Sequence, residues 1–168
     1  MYSDQNQQAQ AAPPKTSAAR PALTDNKTKT SSVLLYTDGS CDKDRMSAWA
    51  FIAVNPETKE VIFKDSGILT GEICSTWNIG AEITAVVKGV EWAKSNNYKV
   101  VVAHDLEGIE RWATGKWKAK NKFTKEFQLF AAKNRETILE YKWTKAHVGE
   151  KFNEMTDELA GMTLRRGY

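Results

Sequence analysis

The run "KVVVAHD", Lys99–Asp105, constrains the fold of this chain more than any other stretch. Three valines in succession read as the buried core of a strand, and a buried strand needs other elements packed around it. The run ends on Asp105, a charge that belongs beyond the sheet rather than in its core. It then passes directly into a stretch in which tryptophans and lysines interleave.

The elements around this strand follow from apolar periodicity and turn residues. "SSVLLYTDGS" is a first strand ending at Asp38-Gly39, "MSAWAFIAVN" a second, and "PET" turns into a third, "KEVIFKDSGIL". "NIGAEITAVVKGVEWAKSNN" is a helix whose Ile83, Val86, Val87, Val90 and Ala93 share one face, with Asn96-Asn97 ending it. After the valine strand come a short helix "LEGIERWA", a helix "NKFTKEFQLFAAKNR", a fifth strand "TILEYKWTKA", a loop "HVGEKFNE" and a closing helix "EMTDELAGMTLRR". The order β-β-β-α-β-α-α-β-α predicts an α/β domain with a five-stranded mixed sheet. A three-stranded meander is joined by two parallel strands through helical crossovers.

The chain has 168 residues, 41% of them hydrophobic, enough for one domain with a sizeable core. That domain is expected at residues 33–168. Residues 1–32 are rich in Gln, Ala, Pro, Ser and Thr and are expected to be a disordered tail. There is no 18-residue apolar run and no apolar secretory h-region, so neither a membrane helix nor a signal peptide is expected. Two cysteines, Cys41 and Cys74, are too few for a disulfide framework and fit reduced thiols in a cytoplasmic protein. Zinc-type Cys/His clusters, a phosphate-cradling GxxxxGK[ST] loop, HExxH and G-x-S-x-G are all missing from the sequence.

Net charge is +3, of which the tail carries +2. From Arg111 to Lys125 there are six basic residues and no acid, with Trp112, Trp117 and Phe123 among them. A charge run alone is usually a solvated face. Aromatics between the cations suit nucleic acid, whose phosphates attract charge and whose bases and sugars offer apolar faces.

Four acids stand on four different elements: Asp38 and Asp105 at strand ends, Glu82 in the first turn or so of the long helix, and Asp157 near the start of the last helix. Each alone has a local explanation as a turn former or a helix-dipole partner. Converging on one point, they would repel unless cations neutralised them, and an all-oxygen set suits Mg²⁺ or Mn²⁺. Two such ions form a clamp for in-line phosphodiester chemistry. His147, in the loop "AHVGEK", is placed to take a proton or help product leave. His104 reads as a strand-end residue that packs or hydrogen-bonds.

The stretches "YTDGS", "STWNIGAEITAVVKGVEWA", "HDLEGIERWATGKWKAKN" and "TKAHVGEKFNEMTDELA" resemble type 1 ribonuclease H over about residues 33–166, most closely its Gram-positive bacterial members, but without their N-terminal hybrid-binding domain. The resemblance implies a ribonuclease H-like fold and hydrolysis of the RNA strand of RNA/DNA hybrids, with two Mg²⁺ ions (Mn²⁺ substituting), leaving 5′-phosphate and 3′-hydroxyl ends. It implies a monomer that needs no organic cofactor. Asp38, Glu82, Asp105 and Asp157 correspond to the family's metal ligands and His147 to its loop histidine. Asn78 corresponds to an asparagine that contacts the hybrid. Thr76, Lys116, Trp117 and Lys118 fall in the region that holds the DNA strand, and Asn153 stands in "FNEMTDELA" as a further substrate contact.

Three departures accompany the resemblance. A glycine-rich segment after the first Asp is replaced by "CDKDRMSAW", where Asp44 or Arg45 would have to substitute for a backbone contact. Ile79 follows Asn78 where a second polar residue is common. The third carboxylate stands in "HDL" rather than "TDS". Three readings stay open beside an active ribonuclease H: a silent hybrid-binding relative, another nuclease of the same fold, and a domain of a reverse transcriptase.

Overall fold

The valine run is an interior strand. In the computed structural model, which describes residues 31–44, 46–144 and 150–167, β4 (Lys99–His104) lies between β1 (Ser32–Cys41) and β5 (Ile138–Trp143), parallel to both. On the far side of β1, β2 (Ser47–Val54) and β3 (Val61–Ile68) complete an antiparallel meander. The sheet order is β3-β2-β1-β4-β5, the mixed five-stranded arrangement expected from the sequence.

Successive strand residues point to opposite faces, and each face has its own core. One holds Val33, Leu35, Phe51, Ala53, Val100 and Val102 beneath α1 (Asn78–Ser95), α2 (Glu107–Ala113) and α3 (Lys122–Lys133). The other holds Tyr36, Ile52, Val54 and Ala103 beneath Phe152, Met155 and Leu159 of α4 (Lys151–Arg166). This two-sided cover is why β4 is apolar throughout its centre. Helix α1 buries Ile83, Val86, Val90 and Ala93, while Val87 is only partly covered. It lies close to the sheet because Gly89 has no side chain: a Cβ there would meet Leu35 Cδ2 at 2.6 Å. Helix α3 starts on Asn121, whose side chain accepts from the Thr124 N–H at 2.9 Å, so Thr124 belongs to the first turn and is no interruption.

Three boundaries differ from the sequence reading. Helix α4 begins at Lys151 rather than Glu154, which takes the second half of the expected loop and moves Asp157 into the second turn. A one-turn 3₁₀ helix, Glu72–Thr76, precedes α1 and has no apolar period to announce it. Strand β1 starts at Ser32 and continues through Asp38 to Cys41, so Asp38 lies inside a strand.

The core predicts a clear contrast on α3. Phe127, 1% exposed, should cost about 3–5 kcal/mol when replaced by Ala. Leu129, 70% exposed on the same helix, should cost less than about 0.5 kcal/mol. Equilibrium urea unfolding of the two variants measures the difference.

Candidate active site

Asp38 is free to serve a site because β1 outruns its parallel neighbour. The β1–β4 ladder ends with Tyr36 opposite Ala103, whereas the β1–β2 ladder continues to Cys41 opposite Ser47. Asp38, opposite Ala50, therefore has a strand on one side only, and Asp105 follows directly on the shorter β4. The chain leaves β1 toward β2 on one side and returns to β4 on the other, so both acids stand where the strand order reverses.

Glu82 joins them through a backbone approach that only glycine permits. A Cβ at Gly39 would sit 2.6 Å from Ala81 Cβ and 2.8 Å from Glu82 N. With hydrogen there instead, the start of α1 rests on β1 beside Asp38. Asp38, Glu82 and Asp105 each offer a carboxylate oxygen, and these atoms lie within 4.8 Å of one another. Asp38 is 6% and Glu82 1% exposed, so two of the three acids have almost no solvent to screen them.

Charge at that spacing shifts protonation. Burial pushes Asp38 up to about 7; the charges of Asp105 and Asp157 add to the rise, while hydrogen bonds from Glu82 and the Gly39 N–H oppose it. Burial also holds Glu82 well above the usual carboxylate range, helped by the charges of Asp38 and Asp105. Without a metal, both members of the buried Asp38–Glu82 pair are thus held toward their protonated forms. The Gly39 N–H donates to Asp38 Oδ1 at 2.7 Å, and the buried Glu82 Oε2 has no hydrogen-bond partner among the described residues. An all-carboxylate pocket with an unpaired buried oxygen and, among the described residues, no paired cation fits a hard divalent ion. Asp157 is half-buried on α4 and close enough to act on Asp38, but it stands outside the tight trio. His147 and Arg45 lie outside the described residues.

The expected substrate contacts divide. Asn78, the first residue of α1 and one helical turn before Glu82, is exposed. Thr76 ends the 3₁₀ turn with its hydroxyl donating to the Ile73 carbonyl at 2.6 Å. Lys116, Trp117 and Lys118 line a cavity of about 480 Å³ together with Trp112, Lys120 and Asn121. The cationic run is less free than its sequence implies. Arg111 pairs with Glu107, Lys116 with Glu110 at 2.6 Å, and Lys122 with Glu72, all acids outside the run. Lys118, Lys120 and Lys125 have no acid partner among the described residues, and the first two line the cavity. Asn153 is placed differently from the expectation of a substrate contact. It is 3% exposed, and its Oδ1 lies 3.3 Å from Thr144 Oγ1, which makes it an internal tie between α4 and the end of β5. Ile79 packs against the core under α1, so its apolar character is structural. The replaced loop is held by Asp42 Oδ1, which accepts from the N–H groups of Asp44 and Met46 and leaves Asp44 exposed.

Two exposed indoles escaped the sequence reading. Trp143, 54% exposed at the end of β5, lines a cavity of about 570 Å³ with Asp105, Glu107 and Arg111. Trp77, just before Asn78, is 45% exposed at φ 56°. Trp143 continues the alternation Leu139, Tyr141, Trp143 along the edge strand, which was the available signal for the first; nothing local marks the second.

This site is a candidate divalent-metal centre at the switch point of an α/β sheet. The chain belongs to the RNase H family, whose model matches residues 30–165. It is 32% identical over 143 residues to a ribonuclease H of Wolbachia pipientis wMel, covering 76% of this chain and 92% of that one. It is 34% identical over 144 residues to a ribonuclease H of Chromobacterium violaceum, covering 76% and 91%. The fold is shared with RNase H1 of Halobacterium salinarum NRC-1, at TM-score 0.65 and 19% identity, covering 80% of this chain and 98% of that one. LC11-RNase H1, solved in complex with an RNA/DNA hybrid, gives the same figures. No helix among the described residues is long and apolar enough to cross a membrane.

The raised carboxylate pKa values have a sign in stability. Asp38 sits above its ordinary value of 3.8, so its contribution is full below that value and is lost as pH rises through about 7. In EDTA, the melting temperature should therefore fall by several degrees between about pH 5 and pH 8. Mg²⁺ should restore it at pH 8, and Asp38→Asn with Glu82→Gln should flatten the metal-free profile. Thermal melts of both proteins with and without metal decide this.

Proposed function

We propose that the chain is an endonuclease that hydrolyses the RNA strand of RNA/DNA hybrids with two divalent ions, Mg²⁺ or Mn²⁺, leaving 5′-phosphate and 3′-hydroxyl ends. The observation that carries the reading is the buried trio of Asp38, Glu82 and Asp105 within 4.8 Å, in a chain of the RNase H family. Asp38, Glu82, Asp105 and Asp157 are the proposed ligands. Bound ions of this kind supply an activated water and charge to stabilise the leaving oxygen.

The remaining work falls to the protein. Strands β1 and β4 and helix α1 hold three carboxylates rigidly, so little reorganisation is needed when phosphate arrives. Their net negative charge falls when metal binds, which lets the anionic backbone approach. Asn78, exposed one helical turn before Glu82, is assigned to the hybrid near the scissile phosphate, and Thr76 to the DNA strand. Trp117, Lys118 and Lys120 present an indole face and two free charges to the DNA strand, with Lys116 behind them on Glu110. His147 is assigned to proton transfer or product release. The complex of LC11-RNase H1, a protein of the same fold, with an RNA/DNA hybrid supports the choice of duplex. The proposal extends to a cytoplasmic monomer without organic cofactor, which suits two free, half-buried cysteines.

End-labelled RNA/DNA, RNA/RNA and DNA/DNA duplexes, each incubated with Mg²⁺, Mn²⁺ or EDTA, test the reading. Cleavage should fall on the RNA of the hybrid alone and stop in EDTA; equal cutting of plain duplex DNA would contradict it. Asp105→Asn should lower kcat by at least about a thousandfold, about 4 kcal/mol in barrier, while hybrid Kd stays within about threefold. Lys118→Ala should reduce the salt slope of hybrid binding by about 1, and Lys116→Ala, already paired with Glu110, by less.

A further inference from the structure

His104 occupies the place where this chain reads "HDL", and its surroundings give the departure a purpose. The side chain is fully buried, at 0% exposure. Its Nδ1 lies 3.0 Å from the Leu106 carbonyl oxygen. A carbonyl only accepts, so Nδ1 carries the hydrogen and donates. Nε2 is then an acceptor, buried and without a partner among the described residues, and His104 borders the cavity that Asp105 and Trp143 also line. The bond from His104 to Leu106 spans Asp105 and closes the backbone around it. Leu106 is also the first residue before α2 and lacks a side-chain cap, so the same carbonyl that accepts from Ile109 N–H gains a second, rigid donor.

The other end of His104 is held as firmly. Its carbonyl accepts from the Thr144 N–H at 2.7 Å and lies 3.1 Å from Thr144 Oγ1. That hydroxyl is 3.3 Å from the Asn153 side chain on α4, and Thr144 and Asn153 are 4% and 3% exposed. Asn153 and Asp157 are one helical turn apart on α4. A continuous buried path of hydrogen bonds thus leads from the turn around Asp105, through His104 and Thr144, to the helix that carries Asp157.

We propose that His104 is a positioning residue for the metal site: with Thr144 and Asn153 it fixes the Asp105 carboxylate relative to Asp157, so that metal affinity depends on the Nδ1–Leu106 hydrogen bond. The inference rests on the carboxylates being metal ligands. It assigns His104 no proton transfer and no contact with substrate.

Mn²⁺ titration calorimetry of the full chain, without nucleic acid, is the test. His104→Leu keeps volume but removes the donor, and His104→Gln keeps a polar side chain but cannot place a donor at the Nδ1 position. Both should weaken Mn²⁺ binding about 10- to 100-fold. His104→Asn places an amide N–H where Nδ1 stood and should return affinity to within about threefold of wild type, which a merely structural role would not do. Thr144→Val should weaken binding too, and less than additively in the His104→Leu background. In hybrid cleavage, kcat should fall with KM nearly unchanged. If His104→Leu fails to fold, the Gln and Asn pair carries the comparison, checked by thermal melts in EDTA. Wild-type affinity in either His104→Leu or His104→Gln, with Asp105→Asn losing Mn²⁺, overturns the positioning role alone. No Mn²⁺ binding by the wild type, or binding untouched by Asp105→Asn, overturns the metal reading and this inference with it.

Discussion

Mutual repulsion among three carboxyl groups is the constraint that the rest of this structure answers. Asp38, Glu82 and Asp105 hold oxygens within 4.8 Å of one another, and two of these residues are almost wholly removed from water. Left on flexible loops they would move apart; in water they would be screened. Here each is fixed to an element that cannot retreat. Asp38 lies within a strand paired to β2, Glu82 sits on a helix pressed onto that strand at Gly39, and Asp105 leaves an interior strand packed on both faces. Burial raises Asp38 to about 7 and Glu82 as well, and the neighbouring carboxylate charges add to the rise. A divalent cation relieves what the fold imposes, which is the physical reason such a cluster points to metal.

The cationic side of the molecule is arranged to keep that charge apart. Lysines and tryptophans collect around the cavity between α2 and α3, and acids outside the run take up several of the cations. Exposed pairs of this kind add little stability. Their effect is to select which cations remain free: Lys118, Lys120 and Lys125 have no acid partner among the described residues, and of these Lys118 and Lys120 line the cavity. A net charge near zero over the domain conceals an acidic cluster at one place and a basic patch at another.

Much of the fold was legible because its signals are local. The 18-residue helix α1 has a long apolar face, and the valines of β4 have no polar alternation, so both stand nearly where the sequence puts them. The short 3₁₀ turn and the true start of α4 were not legible, since neither has enough length to display a period. The burial of Asn153 was not legible for a different reason: helix α4 begins early enough to turn it inward onto Thr144.

By itself, the sequence determined the element order, the apolar faces and the four acids in the order Asp, Glu, Asp, Asp. These follow from side-chain chemistry and periodicity, which a chain carries with it before it folds. Only the tertiary structure decided that Asp38 works from within a strand, because its freedom comes from β4 being shorter than β1. It also decided which lysines stay unpaired and that His104 braces the turn at Asp105. Each of these depends on distances between residues far apart in the chain, set by packing on both faces of the sheet.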